Sequence, residues 1–226
     1  DAQGLPPALD AVLESDVNSA LLRMPKGPGV YRLYAEVRDG AGGGATASLP
    51  LLVSRGDLPA DDGPLHMPWF VYQDAGVGGP WVPSGHMGAD GVFTLDLDHA
   101  DGCASPPTCI RVQTHEQDWS GVAGQVPANN WGDLPGGLDL SEARWLSFKV
   151  RGDFGWGRIT AGVGLVGDDK AHPDSLKVER TVDLTSDWQE VRIRLKGDAD
   201  HVITGFWWVL PTQRPVTVYI DDVVFE

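Results

Sequence analysis

Between Trp119 and Leu140 the chain runs WSGVAGQVPANNWGDLPGGLDL, with two tryptophans, the adjacent amides Asn129 and Asn130, and little suited to filling a core. Pro127, Pro135, Gly136 and Gly137 punctuate the stretch, so it is expected to be an ordered connection, neither a helix nor a continuous strand. Indole rings beside amides are the chemistry of a sugar site: C–H faces pack on the rings and hydroxyls bond to the amides. A tryptophan covering a pyranose buries ~50 Å² on each partner, on the order of 1–2 kcal/mol at ~25 cal/mol/Å². Two such stacks with a few hydrogen bonds give micromolar-to-millimolar affinity, which suits a tether to a polymer. Either tryptophan alone could as well cap a core. The pair, with the amides between them, favours a ligand.

Catalytic constellations are not signalled. A retaining glycosidase needs two carboxylates about 5 Å apart, often on one strand, and the seven Glu are scattered singly. There is no G-x-S-x-G, and the six His (66, 86, 99, 115, 172, 201) show no H-x-H or H-E-x-x-H spacing. For metals, DLDHADG resembles a calcium loop but has Ala100 at the third ligand position and Pro107 in place of the distal Glu. Asp74 ends the first strand of the larger domain, and Asp221 and Asp222 sit in the last. First and last strands of a sandwich are often neighbours, so these three could share a Ca²⁺ that relieves their repulsion. Solvated surface carboxylates are the other reading.

Whatever positions these groups is made of strands. Helix formers are scarce beside Gly, Pro, Val, Thr and Trp, with only seven Glu and three Met, so the chain reads as mainly β. GVYRLYAEVRDG and ATASLPLLV alternate around a glycine-rich turn and predict a hairpin. Upstream, LDAVLES and SALLRM fit two short strands or one poor helix. RGDLPADDGPLH has no periodicity and reads as a linker. Nine further runs follow: PWFVYQD, VFTLDLD, CIRVQTHEQ, ARWLSFKVRG, RITAGVGLVG, KVERTVDL, QEVRIRLKG, ITGFWWVL and VTVYIDDVVFE. They predict an antiparallel two-sheet sandwich. Leu146, Phe148 and Val150 are expected inside with Ser147, Lys149 and Arg151 outside, and Val191, Ile193 and Leu195 inside with Arg192, Arg194 and Lys196 outside. Trp207 and Trp208 must point to opposite faces, leaving at most one for a ligand. Trp145 and Trp188, at strand starts, are expected at the core edge.

A net charge of −15 argues against nucleic-acid or anionic-membrane partners, and no apolar run reaches the roughly 18 residues of a membrane span. Cys103 and Cys109, spaced C-x5-C, favour a disulfide and an oxidising compartment over a metal pair, because no second Cys or His pair has zinc-like spacing. A chain opening on Asp1 without Met is expected to have lost an upstream segment.

The runs WVPSGHMGADG, W-x-G…PANNWGDLPGGLDLSEARWLSFKVRG, LTSDWQEVRIRLKG, GFWWV and VYIDDVVFE resemble the C-terminal, non-catalytic carbohydrate-binding domains of bacterial polysaccharide-degrading proteins, which are galactose-binding-like jelly rolls. PGVYRLYAEVRDG is similar to the end of the immunoglobulin-like or PKD-like module that often precedes them. The resemblance implies an all-β fold: a partial immunoglobulin-like module at 1–54, a linker at 55–66 and a two-sheet antiparallel jelly-roll sandwich at 67–226. It implies a secreted bacterial protein, extracellular or periplasmic, that tethers an upstream catalytic domain to a neutral polysaccharide, most plausibly a β-glucan. Trp119, Trp131 and Trp81 would stack on the sugar; Gln117, Asn129, Asn130 and Arg111 would contact hydroxyls. Many such domains hold a structural Ca²⁺ through an Asp of the last strand, here Asp221 or Asp222. They tend to carry Trp at the place of His86 and an aromatic pair at Ala123-Gly124, so a different or narrower ligand is expected. The alternatives are a structural spacer packing on a catalytic neighbour, and a small glycan hydrolase or lyase.

Overall fold

The computed structural model describes residues 12–15, 20–22, 29–38, 44–53, 63–75, 82–88, 93–115, 119–154, 157–211 and 214–226. Trp81 and Gln117, both expected to meet a ligand, lie outside them. Two units divide the chain at Asp57/Leu58. In the first, β1 (Val12–Ser15) pairs antiparallel with β2 (Ala20–Leu22), and β3 (Gly29–Arg38) pairs antiparallel with β4 (Gly44–Val53) along its full ten residues. The hairpin is where alternation placed it, and the upstream runs are strands.

The second unit is a two-sheet antiparallel β-sandwich, with no helix among its described residues. One sheet has the order β13 (Gln189–Arg194), β10 (Trp145–Gly152), β15 (Thr217–Phe225), β8 (Cys109–Thr114), β7 (Phe93–His99), while β5 (Trp69–Tyr72) pairs with the end of β15. The other runs β12 (Val178–Asp183), β11 (Arg158–Val163), β14 (Thr204–Leu210), β9 (Ser120–Gln125), β6 (Val82–Met87). No helix among the described residues is long and apolar enough to cross a membrane.

Period-two alternation fixes which side chains fill the space between the sheets. Leu146, Phe148 and Val150 of β10, Val218 and Ile220 of β15, and Val191 and Ile193 of β13 are buried against Val122, Phe206, Trp208, Leu210, Ile159 and Val163 of the facing sheet. Phe148 and Phe206 meet across the layers with ring centroids 5.4 Å apart. Each such side chain contributes roughly 1.5–3 kcal/mol by leaving water.

Three expectations change. The stretch from Trp119 to Leu140 is not wholly a connection, because Ser120–Gln125 is the buried strand β9, between β14 and β6. Its glycines hid the strand, yet they are what the packing needs: a Cβ on Gly121 would stand 2.5 Å from the Trp208 carbonyl oxygen. The supposed linker is ordered within the sandwich at its end, where Leu65 donates its N–H to the Asp139 carbonyl and packs on the core. Trp145 and Trp188 lie on the outer face of the six-stranded sheet beneath arginines: Arg192 Cζ is 4.8 Å from the Trp145 ring centroid and Arg151 Cζ is 5.4 Å from that of Trp188.

Candidate functional site

The two outer faces of the sandwich differ. On the six-stranded sheet, many of the charged side chains are paired with one another. Arg151 stacks on Tyr219 at 3.8 Å, and ion pairs join Arg111 to Asp96, Arg151 to Asp153, Lys149 to Asp222 and Arg192 to Glu226. Arg111 therefore lies on this sheet, opposite Tyr219 in register, and the fold does not bring it to Trp119 and Trp131.

The five-stranded sheet presents a different outer face. Val122, Gly124 and Val126 take the core side of β9, so Gly121, Ala123 and Gln125 face out, and Trp119 one step earlier continues their row. The row spans about 20 Å at roughly 3.4 Å per residue. Its first end is open: Trp119 is 45% exposed. Met87 and Val209 converge beside it, and a Cβ on Gly121 would stand 2.8 Å from Met87 Cε and 2.9 Å from Val209 Cγ2. The result is a shallow apolar floor beside a free indole face. The other end carries Trp131, whose ring and the Gln125 amide both crowd the place a Cβ would take on Gly85. Trp207 shares this face but is buried, its indole N–H bonded to the Gly164 carbonyl at 3.0 Å. With Trp208 in the core, neither member of that pair meets solvent.

The loop carrying Trp131 is buttoned along residues 199–203. Val126, Leu138 and Leu140 donate N–H groups to the carbonyls of Ile203, Val202 and Ala199. Asn130, buried, holds the turn internally: its Oδ1 accepts from the N–H groups of Gly132 and Leu134, and its Nδ2 donates to the Leu134 carbonyl. Exposed Asn129, at φ 56°, accepts the Trp131 indole N–H at 3.0 Å. Of the residues expected to contact a ligand, Trp119, Trp131 and Asn129 thus share the outer side of one sheet, while Asn130 is committed to the loop. Asp174 anchors a second loop against the first: its Oδ2 accepts from the N–H groups of Leu165 and Val166 and its Oδ1 from those of Ile203 and Thr204. That loop returns His172 N–H to the Gly132 carbonyl. In sequence, HPDSLK gives no hint of this role.

A separate cluster gathers at the β15 bulge. Cys103 and Cys109 form the expected disulfide, with Cα atoms 5.4 Å apart, and the loop it closes presents Ser105 to two carboxylates. Asp221 is fully buried and accepts the N–H groups of Ser105 and Asp222, both at 2.9 Å. Asp222 sits in the left-handed region at φ 48° and binds Ser105 Oγ and, at 2.8 Å, Lys149 Nζ. Asp74 accepts instead from the Thr108 N–H at 3.1 Å. A calcium ion needs six to eight oxygens, and these residues do not fit one. Asp221 and Asp74 are engaged by N–H donors, and an ammonium already stands against Asp222. Among the His, Cys, Asp and Glu side chains of the described residues, the one group of three within 4.8 Å of one another is Cys103, Cys109 and Asp221, two of them disulfide sulfurs.

Burial pushes the nearby Tyr72 phenol up to about 12, with the Asp221 and Asp74 charges adding to the shift and a hydrogen bond to Thr108 opposing it. Burial also raises Tyr219, and the hydrogen bond to Asp222 raises Lys149. All three keep their protons longer folded than unfolded. Stability from them is complete below about pH 10 and is lost as pH climbs through the folded values. An ultraviolet phenolate titration should show one tyrosine ionising near pH 12, absent in Tyr72→Phe, with stability to denaturant falling as pH rises above 10.

No family profile matches the sequence, and no curated protein matches it. Solved structures do. A family 30 carbohydrate-binding module superposes with a TM-score of 0.52 at 18% identity, covering 71% of this chain and 99% of that one. The family 30 module of a Clostridium thermocellum cellulosomal cellulase gives 0.47 at 18% identity over 71% and 98%. A family 11 module from Clostridium thermocellum in complex with a β-1,3-1,4-mixed-linked tetrasaccharide gives 0.42 at 12% identity over 62% and 86%. The likeness of the first establishes that this sandwich has the fold of a carbohydrate-binding module.

Proposed function

We propose that the sandwich is a non-catalytic module that binds a neutral polysaccharide, a β-glucan first among them, on the outer face of its five-stranded sheet. The observation that carries this is the open end of that face: an indole presented to solvent beside a floor of Met87, Gly121 and Val209. A flat pyranose with equatorial hydroxyls can lie there with its C–H face on Trp119 while its rim stays in water. On the opposite sheet, Trp145, Trp188 and Tyr219 already carry arginines against their rings. The charge of −15 leaves a neutral glycan as the favoured polymer. The fold match to a carbohydrate-binding module supports the reading, and the disulfide is consistent with secretion. In this reading the chain holds a catalytic partner domain near its substrate, which turns weak binding into a high local concentration.

Affinity electrophoresis through neutral glucans, mannans and xylans tests it: the protein should be retarded by a β-glucan. Trp119→Ala should weaken that retardation about tenfold, the loss of one stack, with only a small drop in melting temperature because the residue is 45% exposed. A wild type retarded by none of these polymers, with indole fluorescence unmoved by oligosaccharide, would leave the sandwich a structural spacer. Release of reducing ends would instead mark it a hydrolase.

A further inference from the structure

Beneath Trp131 the chain holds a polar group with nothing to bond. Gln125 is 0% exposed, and neither its Nε2 nor its Oε1 has a partner; Thr204, directly opposite in register and also 0% exposed, has an unpartnered Oγ1. Buried side-chain amides are almost always hydrogen-bonded, and leaving one unpaired costs the fold stability. Apolar residues of similar size would fill this place better. The Trp131 ring and the Gln125 amide converge on Gly85: a Cβ added there would stand 2.6 Å from Trp131 Cζ2 and 2.8 Å from Gln125 Oε1.

We infer that Trp131 is a side-chain cover over a recognition amide, and that Gln125, reached when the indole turns aside, binds a vicinal diol of the sugar. This rests on the carbohydrate-binding reading and adds to it a specificity-determining residue. The backbone beneath the ring is fixed by Asn130 and by the His172 N–H bond to the Gly132 carbonyl. Opening is therefore a rotation of one side chain, and it breaks a single surface hydrogen bond, Trp131 Nε1 to Asn129 Oδ1. A glutamine amide sets one donor and one acceptor side by side, so one hydroxyl of a diol can donate to Oε1 while its neighbour accepts from Nε2. Thr204 Oγ1 supplies a third partner. In a 1,4-linked glucan the 2- and 3-hydroxyls are free and adjacent along the whole chain. In a 1,3-linked glucan the linkage consumes one of them.

Gln125→Leu separates the outcomes. Removing an unpaired buried amide should raise the melting temperature, while binding to a β-1,4-linked oligosaccharide falls about tenfold and binding to a β-1,3-linked one stays as it was. A higher melting temperature with unchanged binding to both would overturn the inference. Amide NMR of the wild type gives a second reading that needs no variant. On titration with the 1,4-linked oligosaccharide the Gln125 side-chain resonances should move together with the Trp131 indole. Movement of the Trp119 indole alone sinks the cover and spares the sugar site; no movement of any indole sinks both.

Discussion

Replacing Asp174 with alanine should lower the melting temperature of the sandwich by 10 °C or more. The carboxylate accepts four backbone N–H groups from two separate segments, and those of Val166, Ile203 and Thr204 bond to it in buried surroundings. Alanine leaves all four donors without an acceptor. At roughly 1–3 kcal/mol for each buried donor left unpaired, and allowing water to reach Leu165, the loss is about 4 kcal/mol or more. That is a large share of the 5–15 kcal/mol typical of a folded domain, and at roughly 2–4 °C per kcal/mol it gives the expected shift. Asp174→Asn keeps one acceptor oxygen and should lose about half as much, which separates lost hydrogen bonds from lost volume. The effect should also reach the candidate site. The loop ending at Asp174 carries the His172 N–H that holds Gly132, so glucan binding should weaken in both variants in the order of their stability losses. A calorimetric scan of the three proteins decides it; a melting temperature within about 2 °C of wild type in Asp174→Ala would show that the donors find other partners.

The parts of this chain that could be read in advance are those where side chains alternate. WLSFKVRG and QEVRIRLK have one apolar and one polar face, and their core sets are as alternation placed them, with Leu195 only partly covered. The β3–β4 hairpin was legible for the same reason, whereas the upstream runs, left open between two strands and a poor helix, lack such alternation. SGVAGQ was not, because β9 is defined by what its glycines leave room for. The packing of Trp208, Met87 and Val209 on Gly121 is tertiary and has no local signature. The same holds for the site. Trp119 declares itself by type, whereas Asn130 looked like a ligand contact and proves to be a loop brace, since an asparagine in a tight turn finds its own backbone before it finds solvent. Gln125 passed for part of a loop until its strand was known. Arg111 was placed with the tryptophans, but its strand β8 belongs to the six-stranded sheet and β9 to the other, a separation with no local signature.

The carboxylates of β15 show most directly how a neighbour decides what a residue does. From sequence, Asp221-Asp222 invites a divalent cation; in the fold, Lys149 from the adjacent strand stands in that role, 2.8 Å from Asp222 and 3.2 Å from Ser105 Oγ. Lys149→Met keeps the aliphatic stem and removes the charge. It leaves a fully buried Asp221 beside an unpaired Asp222, an arrangement burial already disfavours, as the raised Asp221 carboxyl shows. Breaking a wholly buried pair costs about 3–5 kcal/mol; because the Lys149 side chain is 37% exposed, about 2 kcal/mol is the expected loss, or roughly 4–8 °C. The wild type should melt at one temperature with calcium or with chelator, whereas the variant should regain part of its loss in millimolar calcium, once the ammonium no longer occupies the oxygens. The difference between the two proteins should also vanish at high pH. Lys149 is raised above its ordinary value by its bond to Asp222, so its contribution is whole below about pH 10.5 and disappears as the amine deprotonates in the fold. A wild type that loses several degrees on adding chelator would mean that a metal, and not the lysine, balances the two aspartates.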